Sequence, residues 1–296
     1  MNKFHGLGVA MVTPFTETGK IDYAGLKKLT EHLIKGGADY LVVQGTTGES
    51  PTLTQEEKRS VLDFVMEVNQ RRKPIVFGLG GNNTKVVAEQ LSAFDSTGVD
   101  GILSVSPYYN KPVQEGIYRH YKALSEVSSL PIILYNVPGR TGSNITAETT
   151  LRLAEDCANV VAVKEASGDL DQIAAIIADR PEGFSVISGD DALTLPILAL
   201  GGDGVISVVG NAFPKTFGQM VHQCLFGSFA DARKGHYKLR HIMDLLFVEG
   251  NPGGVKEALK HLNICDNHMR LPAYPVSEAT SKAIYRAMAD AELVEA

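Results

Sequence analysis

Lys164 closes an apolar run, Val160-Val161-Ala162-Val163, and Glu165-Ala166-Ser167-Gly168-Asp169 follow at once. A run rich in β-branched residues is the pattern of a strand buried on both faces, as in a parallel sheet. A lysine at the end of such a strand carries its amine into or beside a dry site. Desolvation disfavours the ammonium form, so the amine can act as a nucleophile near neutral pH. The chemistry open to it is a Schiff base with a carbonyl substrate. The competing reading is a lysine that snorkels from the strand end into water.

Other strand-like runs also end in polar groups. Gln44-Gly45-Thr46-Thr47-Gly48-Glu49-Ser50 follows Tyr40-Leu41-Val42-Val43. Its hydroxyls and glycine-flanked N–H groups suit a carboxylate, or simply form a loop that caps the next helix. Ser106-Pro107-Tyr108-Tyr109-Asn110-Lys111-Pro112 offers two tyrosines that read as packing residues or interface anchors. Tyr135-Asn136-Val137-Pro138-Gly139-Arg140-Thr141 places a tyrosine able to relay protons near an arginine able to clamp a carboxylate. The plainer alternative there is a hydrogen-bonded core tyrosine and a surface arginine. In Ser188-Gly189-Asp190-Asp191 the paired carboxylates invite an acid/base role, but aspartate before Ala192-Leu193 suits a helix N-cap better. Lysine, tyrosine, two threonines and arginine at the ends of three of these runs together point to a catalytic face.

The elements that position these residues repeat. Short apolar runs recur as Gly8–Val12, Tyr40–Val43, Ile75–Gly78, Gly101–Val105, Ile132–Tyr135, Val160–Val163, Phe184–Ile187 and Gly204–Val208. Helical patterns lie between them. Asp22 can cap a helix with Leu26, Leu29 and Leu33 on one face. Thr54 and Glu57 have capping-box spacing before Val61, Leu62 and Val65. Ile117, Tyr121, Leu124 and Val127 form another stripe, and Gly36-Gly37 and Gly98 read as helix stops. Eight strands alternating with helices predict an α/β fold, a (β/α)8 TIM barrel. The alternative, a doubly wound sheet, calls for a glycine-rich phosphate turn after the first strand. Thr13-Pro14-Phe15 stands there instead, and Gly78-Leu79-Gly80-Gly81-Asn82-Asn83 has asparagine in place of the last glycine. The expected division is a barrel over 1–224 and a helical extension over 225–296, broken by Pro252-Gly253-Gly254 and Pro272 to Pro275.

The 296 residues carry a formal net charge of −6 and no basic stripe, which argues against nucleic acid. No apolar run is long enough to span a bilayer, and the start of the chain lacks a signal-peptide layout. Cys157, Cys224 and Cys265 form no disulfide framework, which fits a reducing cytoplasm. His236 and His241 lie five apart, off the spacing for two ligands on one helix face, so no metal site is expected.

Gly45-Thr46-Thr47-Gly48-Glu49, Pro107 to Pro112, Tyr135 to Thr141 and Val163-Lys164-Glu165-Ala166-Ser167-Gly168, in that order, resemble the dihydrodipicolinate synthase/N-acetylneuraminate lyase family. The likeness extends to Asn251-Pro252, Val255-Lys256 and the tail from Arg270. By this resemblance Lys164 forms an imine with pyruvate, whose carboxylate rests on Thr46 and Thr47. Tyr135, Thr46 and Tyr109 match the family's proton relay, with Tyr109 reaching into a neighbouring subunit. Gly189 and Ile206 match backbone contacts near the substrate. Gly139-Arg140-Thr141 resembles the branch whose arginine binds the carboxylate of L-aspartate 4-semialdehyde, in lysine and diaminopimelate biosynthesis. The resemblance implies no cofactor and a homo-oligomer, most often a tetramer built as a dimer of dimers.

The alternatives are a 2-keto-3-deoxy sugar acid lyase using the same imine, and a non-catalytic barrel that binds a keto or amino acid. Some family members are inhibited by lysine at a cleft between subunits. The matching positions are Ser50, Pro51, Gln55, Lys58, Asn82, Val86 and Tyr108. Val86 supplies no anion for an effector's ammonium and Lys58 adds a like charge, which implies weak or absent inhibition.

Overall fold

The computed structural model describes residues 3–293. Eight parallel strands close in sequence order into a barrel: β1 (Gly6–Ala10), β2 (Tyr40–Val43), β3 (Ile75–Gly78), β4 (Gly101–Val105), β5 (Ile132–Asn136), β6 (Val160–Glu165), β7 (Ser185–Ser188) and β8 (Gly204–Ser207). The helices between them are α1 (Tyr23–Lys35), α2 (Gln55–Asn69), α3 (Thr84–Ser92), α4 (Gln114–Val127), the single turn α5 (Pro138–Thr141), α6 (Ala147–Asp156), α7 (Leu170–Asp179) and α8 (Thr194–Ala199). After β8 come α9 (Pro214–Leu225), α10 (Phe229–Leu245), α11 (Gly253–His261) and α12 (Glu278–Asp290). The expected TIM barrel with trailing helices is therefore the fold, and the boundary at 224/225 falls in the last turn of α9.

Alternation along each strand divides the core in two. Tyr40, Val42, Val76, Leu103, Ile133, Tyr135, Ala162, Ile187 and Ile206 fill the barrel interior. Their neighbours, such as Leu41, Phe77, Leu134 and Val163, pack outward against the helices. Sequence signals account for most helix ends. Asp22 accepts from Gly25 N at 3.0 Å, and Leu26, Leu29 and Leu33 are buried beneath it. Thr54 and Glu57 close the expected capping box. Asn83, where a nucleotide turn would need glycine, instead caps α3 by accepting from Val86 N.

Several boundaries differ from the sequence reading. β1 starts at Gly6 and ends at Ala10, two residues earlier than expected. β8 pairs with it from Gly6, where the two backbones approach too closely for a Cβ on Gly204. At the far end the Val12 N–H leaves the ladder for the Asn211 side chain. Val127, expected on the buried stripe of α4, is 40% exposed because it is the helix's last residue. Gly98 does not stop α3, which ends at Ser92; it turns the chain into β4 with φ of +80°.

Candidate active site

β6 places Lys164 level with Tyr135 of β5 on one side and Ile187 of β7 on the other. Alternation turns Lys164 into the barrel with Ala162 and sends Glu165 outward. Lys164 is only 5% exposed, and its Nζ lies 4.2 Å from the centre of the Tyr135 ring. The lysine therefore does not snorkel out. Glu165 is fully buried on the other face. It accepts from Asn136 Nδ2 at 2.6 Å, Gln172 Nε2 at 2.9 Å and Ser167 Oγ at 2.6 Å, while burial pushes its carboxyl up. Gly189 packs on the Lys164 stem: a Cβ there would stand 3.1 Å from Lys164 Cε. Its N–H donates to Glu165 O at 2.6 Å. Ile206 sits inside the barrel, 1% exposed.

Beyond β2 the chain bends sharply. Gln44 has φ of +65°, and Thr46–Gly48 form a 3₁₀ turn that ends on Glu49 at φ of +53°. Thr46 lines the cavity described below, whereas Thr47 lies outside that lining and is buried, 2% exposed. One residue from the turn before α11 and one from α11 itself hold the turn after β2. Asn251 Nδ2 donates to Thr47 Oγ1 at 3.0 Å, and Lys256 Nζ meets Glu49 Oε1 at 2.5 Å. Both side-chain amide atoms of Gln44 are buried without a partner among the described residues.

A cavity of about 910 Å³ opens at this end of the barrel. Gln44, Thr46, Tyr135 and Val137 lie on its wall together with Arg140, which the one-turn α5 carries. Arg140 is exposed. The same cavity continues past Ser50, Pro51, Gln55, Lys58 and Tyr108, so positions anticipated as catalytic and as regulatory share one space. Burial lowers the Lys58 pKa. Asn82 and Val86 stand outside the lining; Asn82 Nδ2 donates to Tyr108 O, and Val86 is 44% exposed. Tyr109 is also apart, 84% exposed on a left-handed backbone with φ of +73°.

The aspartate pair divides its work. Asp190 Oδ1 accepts from Ala192 N and Leu193 N, the capping role, in the turn before α8. Asp191 is buried and its Oδ2 accepts from Val208 N and Val209 N, tying the loop after β7 to the end of β8. Neither lines the cavity. Sequence reasoning gave no site role to Gln44 or Asn251. Gln44 stood inside the quoted loop, and its strained φ is invisible in sequence. Asn251 preceded a proline-glycine break and belonged to the family likeness, but neither pointed to its contact with Thr47.

A family model for the dihydrodipicolinate synthetase family matches residues 3–291. The 4-hydroxy-tetrahydrodipicolinate synthase of Parabacteroides distasonis is 52% identical over 279 residues, covering 94% of each chain. The crystal structure of dihydrodipicolinate synthase from Aquifex aeolicus superposes with a TM-score of 0.94 at 41% identity, over 98% of this chain and 99% of that one. The Acinetobacter baumannii enzyme, solved in complex with pyruvate, gives 0.95 at 39% identity over 98% and 99%. With its four motifs gathered at one end of such a barrel, the chain belongs to the dihydrodipicolinate synthetase family.

Proposed function

We propose that this chain is a Schiff-base-forming lyase that condenses pyruvate with L-aspartate 4-semialdehyde, as a 4-hydroxy-tetrahydrodipicolinate synthase does. The observation that carries the reading is the buried Lys164 amine over the ring of Tyr135, which itself lines a cavity together with Thr46 and Arg140. Lys164 Nζ attacks C2 of pyruvate, and loss of water leaves an imine. Thr46 and Thr47 receive the pyruvate carboxylate. Loss of a methyl proton gives an enamine, whose carbon attacks the aldehyde; the aldehyde oxygen takes a proton and becomes a hydroxyl. The amino group of the second substrate then attacks the imine carbon, closing the ring and releasing Lys164. Tyr135, Thr46 and Tyr109 pass protons between these steps, because each hydroxyl both donates and accepts. Arg140 binds the carboxylate of the semialdehyde, while Gly189 and Ile206 border the reacting atoms.

The same reading makes Tyr109 a residue that acts across a subunit contact. Its exposure and its left-handed backbone suit a side chain held out for a partner. A dimer is then the smallest active unit, and the full assembly is a tetramer in the cytoplasm. Residues 1–224 form the catalytic barrel and 225–296 its helical extension. Lysine inhibits weakly or not at all, because Lys58 faces the shared cavity and no carboxylate stands at Val86. An inhibition constant in the tens of micromolar would sink that last point.

Borohydride reduction with pyruvate, followed by peptide mass mapping, tests the mechanism: a pyruvyl adduct on Lys164 is the expected result. No adduct on the folded protein favours a barrel that only binds. Arg140→Ala separates the synthase from a sugar-acid lyase. It raises KM for the semialdehyde by on the order of a hundredfold and leaves the pyruvate adduct intact.

A further inference from the structure

We infer that Asn251 is a positioning residue for the keto-acid site: by donating to Thr47 Oγ1 it leaves the Thr47 hydroxyl proton for the substrate carboxylate. This rests on the reading of Thr47 given above. A hydroxyl offers one proton and two lone pairs. Thr47 is 2% exposed, and one lone pair is taken by Asn251 Nδ2 at 3.0 Å. Among the described residues its own proton meets no acceptor. A buried donor left in that state is costly, and a carboxylate arriving at the turn removes the cost with a charge-assisted bond.

The hydrogen bond reaches across the fold, from the segment before α11 to the turn after β2. That segment is held on both sides. Glu249 accepts from Ser277 N at 2.9 Å and Ser277 Oγ at 2.6 Å. Lys256 spans to Glu49, two residues past Thr47, and also donates to His268 O at 2.8 Å. Asn251 therefore meets Thr47 from a fixed backbone. Asn251 Oδ1 is buried with no partner among the described residues, so the bond to Thr47 alone sets the orientation of the amide, and the Asn251→Asp variant below tests that direction. The opposite amide orientation would consume the Thr47 proton and present an acceptor-only oxygen to an anion.

Five proteins test it: wild type, Asn251→Ala, Asn251→Asp, Thr47→Val, and Asn251→Ala combined with Thr47→Val. The measurement is the pyruvate concentration that half-saturates borohydride trapping of Lys164. Asn251→Ala is expected to raise it about tenfold, with little change in the trapping rate at saturation. On the Thr47→Val background the same substitution adds nothing, which a direct contact between Asn251 and the substrate would not give. Asn251→Asp keeps the shape and supplies a proton only while its carboxyl is neutral. Its half-saturation relative to wild type is expected to climb with pH as that carboxyl ionises, to on the order of a hundredfold. An unchanged half-saturation in Asn251→Ala, full effects on the Thr47→Val background, or a flat pH ratio in Asn251→Asp overturns the inference. If wild type gives no adduct, the functional reading falls and takes this inference with it.

Discussion

A methyl group added at Gly189 would stand 2.7 Å from Ala166 Cβ, 3.0 Å from Glu165 O and 3.1 Å from Lys164 Cε. Glu165 O is strand backbone and Ala166 Cβ is bonded directly to the backbone that follows, so neither can swing aside. The third belongs to the side chain that carries the proposed chemistry, so Lys164 is the one that yields. Gly189→Ala is expected to lower kcat by on the order of a hundredfold, because a displacement of about 1 Å costs that much at a reacting centre. Rapid-quench borohydride trapping measures the rate of imine formation directly, and an unchanged rate would show that Lys164 does not depend on this packing. At this scale the sequence was informative. Lys164 ended a strand-like run and Tyr135 ended another, and parallel pairing of β5 with β6 brought them level. What it could not convey was why position 189 must be glycine. That depends on two strands passing within contact distance.

The loop after β7 and the end of β8 are joined by one carboxylate. Burial pushes the Asp191 carboxyl up to about 6, against the lowering effect of its hydrogen bonds with Ser207 and the Val208 and Val209 N–H groups. The unfolded chain releases this proton near pH 3.9, so between about 4 and 6 the native state holds more protons than the unfolded one. Stability is therefore fully present below that window and falls as pH rises through it, by about 2–3 kcal/mol in all. Asp191→Asn keeps an acceptor for the two N–H groups and removes the charge. Urea unfolding at pH 4, 5, 6 and 7 should show the difference between variant and parent growing across the window; parallel curves would rule out Asp191 as its source. Asp190 and Asp191 were a single motif in the sequence. Neighbours on an extended chain point different ways, so one caps the local turn while the other finds a partner on another strand. Local signals were read well, as in the capping box of Thr54 and the bounds of β2, β3 and β4. Errors came where a distant element decides, as at β1, whose frame is set by β8 and Asn211.

The helices beyond the barrel are joined to it by buried charge. Lys256 and Glu49 have side chains 0% and 2% exposed, and their contact at 2.5 Å crosses from α11 to the turn after β2. Arg270 extends the junction, its N–H bonding Glu49 Oε2 and its guanidinium gripping both oxygens of Glu57. Nothing in the sequence marks Lys256 as buried, since a lysine on a short helix reads as a solvated one. Burial pulls the Lys256 pKa down while Glu49 pulls it up, so the ammonium depends on its partner. Removing one member strands the other charge in a dry interior. Lys256→Met is expected to cost about 3–5 kcal/mol, and the double change Lys256→Met with Glu49→Leu to recover much of that. Unfolding followed by far-ultraviolet circular dichroism and by tyrosine fluorescence measures both. Recovery in the double variant places the cost in the unpaired charge. A double variant as unstable as the single one places it in packing between α11 and the turn, so that barrel and extension are joined by shape rather than by charge.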